Sequence, residues 1–182
     1  MTTVDFTDSD TTDRDILFRQ YISDPIVAVS IVNPTIKFQI RGSEIGSTNN
    51  LFTALHIRVV QSDGTLRGTI LAVMRDDVEL ATSLTNRQFV VSPTITVNAL
   101  DSDRIVIEVG YGGDPGVAGT PTHSGSLRIG DAAATDLLEN DTGTTDLNPW
   151  VELSTDIPII PSFAWFLDQP KILRSRPQVR TG

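Results

Sequence analysis

Cysteine is absent from the 182-residue chain, so neither a disulfide nor a cysteine-based zinc site can stabilise the fold. Aromatic residues make up only 6% of the chain, and histidine occurs twice. No apolar run approaches the ~20 residues that a membrane-spanning helix needs. Residues 1–15 also lack the basic start and apolar stretch of a signal peptide. We therefore expect a protein with no membrane span and no secretory leader.

Basic residues are scarce relative to acidic ones. The chain has 14 Lys and Arg against 23 Asp and Glu, which gives a net charge of −9 and an isoelectric point near 4.5. This balance argues against a general affinity for nucleic-acid phosphates or anionic membranes. The charge is also uneven, because residues 1–15 are strongly acidic while residues 171–182 carry four basic residues and no acid. The two ends of the chain are therefore opposite in sign.

Short runs rich in Val, Ile, Thr and Phe dominate the middle of the chain, and clusters of Gly, Pro, Asn and Asp separate them. This pattern is typical of β-strands. Strands are predicted at 15–22, 26–32, 35–42, 51–61, 66–74, 87–91, 94–99, 104–111, 125–130 and 149–157. Helix should be scarce, since no window of 11 residues sustains a helical period. The best helical candidate, 76–85, fits a strand with a turn equally well.

The hydrophobic alternation predicts which faces of the strands are buried. Ile36, Phe38 and Ile40 alternate with polar residues, so one face of that strand should meet the core and the other solvent or a partner. The sequence Ser62–Asp63–Gly64–Thr65 between two apolar runs predicts a hairpin turn with Gly64 at positive φ. Residues 112–124 and 131–148 read as loops, because they are rich in small, polar and turn-forming residues. The fold class is therefore all-β, a two-sheet antiparallel β-sandwich.

The chain divides into three parts. An acidic N-terminal arm (1–14) carries Asp5, Asp8, Asp10 and Asp13, and the sandwich domain covers 15–157. A C-terminal arm (158–182) has four prolines, which exclude it from the interior of a sheet.

The C-terminal arm is apolar at its start and basic at its end. Aromatic side chains left in water cost free energy, so we expect this arm to dock on another subunit, or alternatively on its own sandwich. The residues predicted to dock are Ile159, Phe163, Trp165, Phe166, Leu167, Arg174, Arg176 and Arg180.

Catalytic signatures are weak. His56 lies in a predicted strand and His123 in a loop, and neither has the spacing of a metal or nucleophile motif. Asp101 and Asp103 could contribute oxygens to a calcium site, although aspartates at strand ends more often cap turns. We therefore predict a protein that is not an enzyme and needs no cofactor, with calcium as the open alternative.

A few aromatic residues could form a sugar-binding platform. The candidates are Tyr21, Tyr111, Trp150 and Trp165, since stacking on flat rings is a way to hold sugars. The alternation around Trp150 places its ring toward the core.

Three segments carry a resemblance to known sequences: Ser83–Phe89, Asp103–Tyr111 and Asn148–Leu153. Together they resemble a group of uncharacterised β-sandwich proteins that tailed phages and viral metagenomes encode. The resemblance covers roughly residues 15–157 and implies a jelly-roll-like sandwich among virion structural or decoration proteins. It implies no catalytic residue.

The leading hypothesis is a virion structural protein of the capsid or tail. It would assemble through its terminal arms with copies of itself and other virion proteins, in particles assembled in the host cytoplasm. The alternative is a carbohydrate- or receptor-binding module that recognises a cell surface, with or without calcium. A hydrolase has the least support, because no pair of acids is identified by spacing.

Overall fold

The computed structural model of the chain describes residues 3–8, 14–46, 50–113, 123–130 and 135–160. Eleven β-strands and no helix occur in these ranges. Consequently, no helix within them could cross a membrane. The strands are β1 (Thr3–Asp8), β2 (Arg14–Ile22), β3 (Val29–Val32), β4 (Ile36–Glu44), β5 (Leu51–Val60), β6 (Leu66–Arg75), β7 (Thr85–Val91), β8 (Thr96–Ala99), β9 (Arg104–Gly113), β10 (His123–Arg128) and β11 (Trp150–Leu153). The predicted all-β class is confirmed.

The first sheet is built around β4, which is hydrogen-bonded along both edges. One edge pairs with β7, from Ile36 opposite Val91 to Gly42 opposite Thr85. The other edge pairs with β11 along its first half and with β10 along its second half, and β10 in turn pairs with β1. Strands β10 and β11 therefore act as two halves of one interrupted strand.

The second sheet has the order β2-β9-β5-β6, and every pairing in it is antiparallel. Strands β3 and β8 form a small separate pair. When β3, β8 and β11 are set aside, the remaining eight strands pair first with last, second with seventh, third with sixth and fourth with fifth. Nested pairing of this kind in two sheets is the jelly-roll order, so the predicted jelly-roll-like sandwich is confirmed.

Apolar side chains fill the space between the two sheets. The predicted inward face of β4 is confirmed, because Ile36, Phe38 and Ile40 are all buried. Across from them lie buried residues of β9 and β5: Ile105, Ile107, Val109, Tyr111, Leu55, Ile57 and Val59. This core excludes water from the interior and supplies most of the driving force for folding.

The predicted hairpin joins β5 to β6. Gly64 has a φ of 87°, and its N–H donates to the Gln61 carbonyl at 2.9 Å. Asp63 accepts the N–H of Thr65 through Oδ1, also at 2.9 Å. The turn follows directly from local chemistry, because glycine adopts this φ without steric cost and aspartate bonds the backbone two residues later.

The sandwich begins earlier and ends later in the chain than the sequence predicts. Residues 3–8, which were assigned to an arm, form the edge strand β1 beside β10. At the other terminus, Pro158–Ile160 pair with Pro25–Val27 instead of leaving the domain. Backbone hydrogen bonds to existing strands explain both differences, since pairing at an edge needs little hydrophobic pattern.

Gly110 allows β2 and β9 to approach closely where β2 contains a bulge. The register shifts between Leu17 and Arg19, opposite Gly110 and Val109. A Cβ atom at position 110 would lie 1.7 Å from the Ile16 carbonyl oxygen. Since that neighbour is backbone, a side chain there would push the two strands apart.

We therefore expect Gly110→Ala to lower the free energy of unfolding by about 3 kcal/mol, the upper range for overpacking that forces backbone shifts. Chemical denaturation followed by circular dichroism measures the change. Gly143→Ala is the matched control, because its Cβ would meet only the Asp141 side chain. Equal stability of the two variants would show that the β2–β9 contact is not as tight as described.

Candidate functional site

The beginning of the C-terminal segment lies on its own sandwich. Ile159 sits opposite Ile26, Val27 N–H donates to the Pro158 carbonyl at 2.9 Å, and Ile160 N–H donates to the Pro25 carbonyl at 2.8 Å. On its other side the Pro25–Val27 segment is held by the turn before β9: Ile26 N–H donates to the Asp103 carbonyl at 2.8 Å, and Ser102 N–H donates to the Ile26 carbonyl at 3.0 Å. Ile159, predicted to dock on a partner, is thus only half-buried on its own chain. The other predicted docking residues (Phe163, Trp165, Phe166, Leu167, Arg174, Arg176 and Arg180) lie outside the described residues.

Of the four aspartates predicted on the N-terminal arm, two lie among the described residues. Asp5 lies in β1, where its Oδ1 accepts the Ser126 hydroxyl at 2.6 Å. Asp8 ends the same strand and pairs through its backbone with His123. Asp10 and Asp13 lie outside the described residues. Asp5 therefore helps to hold an edge strand, whereas the sequence placed it on an arm.

Asp101 and Asp103 hold a tight turn before β9. Asp103 is almost fully buried and accepts two hydrogen bonds from Arg67, Nε to Oδ2 at 2.7 Å and Nη2 to Oδ1 at 3.1 Å. Its Oδ2 also accepts the Leu100 N–H at 2.9 Å. The exposed Asp101 accepts the N–H of Ala28 at 2.8 Å. These contacts match the turn-capping alternative, while calcium binding at this pair stays a prediction.

The aromatic candidates for a sugar platform are placed differently from the prediction. Tyr111 is 2% exposed and belongs to the core, so it offers no surface for stacking. Trp150 faces away from the core, which takes its neighbour Val151 instead. The indole N–H donates to the Leu137 carbonyl at 2.7 Å. Tyr21 packs against the core, and Trp165 lies outside the described residues.

A polar cluster lies on the outer face of β4, where the sequence predicted solvent or a partner. Gln39, Arg41 and Asn86 are all buried there. The chain between β10 and β11 covers them, and we call its described part, residues 135–148, the cover loop. Sequence reasoning missed this cluster because the polar alternation of β4 looks the same whether water or a loop lies over it.

Backbone carbonyls of the cover loop accept hydrogen bonds from residues of the sheet. Arg41 donates from Nη1 to the Thr145 carbonyl at 3.0 Å, and Asn86 donates from Nδ2 to the same oxygen at 3.0 Å. Gln39 donates to the Asp141 carbonyl. The Gly143 carbonyl accepts the backbone N–H of Asn86 at 2.9 Å. Because buried polar groups need partners, these bonds fix the loop on the sheet.

The two ends of the cover loop are also tied together. Leu137 N–H donates to the Asn148 carbonyl at 2.8 Å, and Asn148 N–H donates to the Thr135 carbonyl at 2.9 Å. The Leu137 side chain is buried beneath them. The predicted loop is therefore an ordered cover rather than a free surface loop, and it hides the outer face of β4 from partners.

His56 lies in a cross-strand polar row on the outer face of the second sheet. Its Nδ1 is 2.9 Å from Glu108 Oε2. The other oxygen of Glu108 accepts from Gln20 at 2.9 Å and from Arg58 at 3.2 Å. Gln20 and His56 both stand opposite Glu108 in the strand register. This arrangement links three neighbouring strands and gives His56 a structural role.

A short strap, residues 76–81, bridges the two sheets beside two buried acids. Asp76 accepts from Arg87 at 2.8 Å, yet burial raises its pKa. Glu44 accepts the Leu51 N–H at 3.3 Å through Oε2. Burial raises the pKa of Glu44, and the nearby Glu79 carboxylate raises it further. Burial therefore disfavours the charged form of both carboxyl groups beside the strap.

No known protein family matches the chain, and no curated protein matches it. Similar solved structures are those of infectious bursal disease virus strains Gt and Gx, and the crystal structure of that virus's VP2 subviral particle. Identities are 12%, 17% and 17%, and TM-scores are 0.32, 0.32 and 0.28. The matches cover 69%, 89% and 69% of this chain but 30%, 37% and 31% of those chains. The chain thus spans about a third of their length, and similarities this weak support no inference about function.

Removing the partner of Asp103 tests the buried ion pair. Arg67 lowers the pKa of Asp103 through its hydrogen bonds, so Asp103 stabilises the fold above its ordinary pKa and loses that contribution as the pH falls. We expect Arg67→Met to lower the free energy of unfolding at pH 7, because it leaves the buried Asp103 carboxylate without its charged partner. The cost should shrink toward pH 3, measured by urea denaturation. Arg19→Met, on an exposed residue, is the control, and an equal loss in both variants would refute the role of the pair.

Glu44→Gln tests the buried acid beside the strap. A carboxyl group with a raised pKa binds its proton more tightly in the folded state, so stability falls as the pH rises from its unfolded to its folded pKa. Glutamine can still accept the Leu51 N–H but carries no charge. We expect the variant to be more stable than the parent at pH 7 and equal to it near pH 3.

Thermal unfolding across that pH range measures the difference. Glu152→Gln, on an exposed residue of β11, is the control and should leave the profile unchanged. A Glu44→Gln protein that is less stable than the parent at pH 7 would contradict the destabilising charge.

Proposed function

We propose that the chain is a non-enzymatic virion structural protein that associates with copies of itself through its C-terminal segment. The observation that carries the proposal is the strand order of the two sheets, β1-β10-β4-β7 and β2-β9-β5-β6. Viral capsid domains use this jelly-roll order, as do lectin domains and cupins. Fold alone does not define function, so the choice among these uses depends on particular residues.

The interior of the sandwich favours a structural role over ligand binding. Cupin-like and other barrel proteins hold small molecules between or within their sheets. Here that space is filled by packed side chains such as Phe38, Leu55, Ile57 and Tyr111. The glycan alternative loses Tyr111, which is buried in the core, while Trp150 is half-buried and its indole N–H is bonded to the cover loop.

The C-terminal segment is the part of the sequence that a single sandwich leaves unexplained. Among the described residues, pairing with Pro25–Val27 extends to Ile160, and Phe163, Trp165 and Phe166 follow in the sequence. Each of these aromatic side chains contributes about 2–3 kcal/mol when it is fully buried, before the cost of ordering the segment. Surface ion pairs contribute only about 0–1 kcal/mol each, so the basic residues would set register and encounter rate instead.

Deletion of residues 161–182 tests the proposal. We expect the truncated protein to keep its β-sheet circular dichroism and cooperative unfolding, because the described sandwich and the Pro158–Ile160 pairing remain. It should fail to form the oligomers or particles that the full chain forms, measured by light scattering and electron microscopy. Normal assembly of the truncated protein would overturn the proposed role of the segment.

The matched control keeps the aromatic residues and removes only charge, by Lys171→Ser, Arg174→Ser, Arg176→Ser and Arg180→Ser together. This variant should still assemble, more slowly and with less dependence on salt. If it fails completely while the parent assembles, the charges rather than the apolar side chains supply the affinity.

A further inference from the structure

The middle of the cover loop, residues 138–146, buries little of its own surface. Every residue of this stretch is exposed except Asp141, which is half-buried. Its one large apolar side chain, Leu138, is 70% exposed and therefore contributes little to packing. Because the hydrophobic effect scales with the apolar area removed from water, this stretch gains little from it. Its attachment to the sheet depends on polar contacts instead.

Ion pairs join the middle of the loop to the sheet. Lys37 pairs with Glu139. Asp146 Oδ1 lies 3.5 Å from Nε of Arg41 and also 3.5 Å from Nε of Arg128, so one carboxylate faces two arginines on neighbouring strands. The side chains of Glu139 and Asp146 are 44% and 45% exposed. Since solvent reaches both carboxylates, dissolved salt screens these pairs.

The polar cluster beneath the loop is incompletely hydrogen-bonded. Gln39 Oε1 and Arg41 Nε are both buried, and neither makes a hydrogen bond within the described part of the chain. A buried polar atom without a hydrogen bond costs free energy that contact with water recovers. Lifting the loop therefore gives both atoms a new partner, which offsets part of the loss of the hydrogen bonds to Thr145 and Asp141.

The ends of the cover loop are attached in a different way. The Leu137 side chain is buried, and its carbonyl accepts the Trp150 indole N–H at 2.7 Å. Leu137 N–H donates to the Asn148 carbonyl, and Asn148 N–H donates to the Thr135 carbonyl. These contacts are apolar packing and hydrogen bonds between uncharged groups. Screening of charge by salt should therefore leave the ends in place.

We propose that residues 138–146 form a lid that salt releases from the outer face of β4, while the ends of the cover loop stay attached. The open lid exposes a polar face of the first sheet that carries Gln39, Arg41 and Asn86. Ionic strength sets the balance between the closed and open forms. The inference is independent of the proposed assembly role, because it concerns contacts within one molecule.

The backbone N–H of Asn86 reports directly on the lid. It donates to the Gly143 carbonyl at 2.9 Å, so it can exchange with solvent once residues 138–146 lift. The next residue, Arg87, stands opposite Ile40 in the strand register. Because successive N–H groups of an antiparallel strand point in opposite directions, the Arg87 N–H points toward β4. It therefore reports on opening of the sheet.

Amide hydrogen exchange of the full chain, followed by NMR, tests the proposal. Raising sodium chloride from about 0.01 to about 1 M shortens the screening length from about 30 to about 3 Å. We expect exchange of Asn86 to become at least about fivefold faster, the factor that two exposed ion pairs supply. Exchange of Arg87, Leu137 and Asn148 should stay unchanged.

The variant Asp146→Asn removes the shared carboxylate and keeps the size of the side chain. We expect it to speed exchange of Asn86 about fivefold at low salt, and to reduce the further effect of added salt. Asp156→Asn is the matched control, because it removes the same charge from an exposed residue that lies after β11. The control should leave exchange of Asn86 unchanged.

Three results would overturn the proposal. Exchange of Asn86 at the rate of Arg87 in every condition would show that the loop opens only when the sheet opens. Exchange of Asn86 that neither salt nor Asp146→Asn changes would show that ion pairs do not hold the lid. Equal acceleration of Leu137 and Asn148 would show that the cover loop detaches as a whole, including its ends.

Discussion

The structure depends on β4 being enclosed on every side. Its inner face packs against the core, its outer face lies under the cover loop, and both of its edges are hydrogen-bonded. A strand enclosed in this way can hold polar side chains such as Gln39 and Arg41 only because loop carbonyls accept their hydrogen bonds. The cover loop is therefore part of the sheet's stability, and its position follows from the interruption between β10 and β11.

Several surfaces of the sandwich are covered by the chain itself or carry polar contacts. The outer face of β4 is covered by the cover loop, and the outer face of the second sheet carries the His56–Glu108 polar row. The interior is filled. Apolar side chains such as Ile22 and Leu100 are exposed at the end of the sandwich where Pro158–Ile160 pair with Pro25–Val27.

Local patterns predicted the strands and the Gly64 turn, because alternation and turn chemistry act over a few residues. They could not predict the strand order, which depends on pairing across the whole chain. The edge strand β1 was missed because Val4 and Phe6 alone give a weak pattern, and an edge strand needs little more. Tyr111 and Trp150 were misplaced because the face that a side chain occupies depends on partners distant in sequence. The functional prediction depended mainly on the apolar and basic pattern of residues 161–182.

The most direct test is an electron cryo-microscopy map of the protein in its assembled state, with residues 161–182 traced. The proposed assembly role predicts density for Phe163 to Leu167 against a neighbouring copy. A map in which assembled copies contact one another while each segment folds back onto its own sandwich would contradict it.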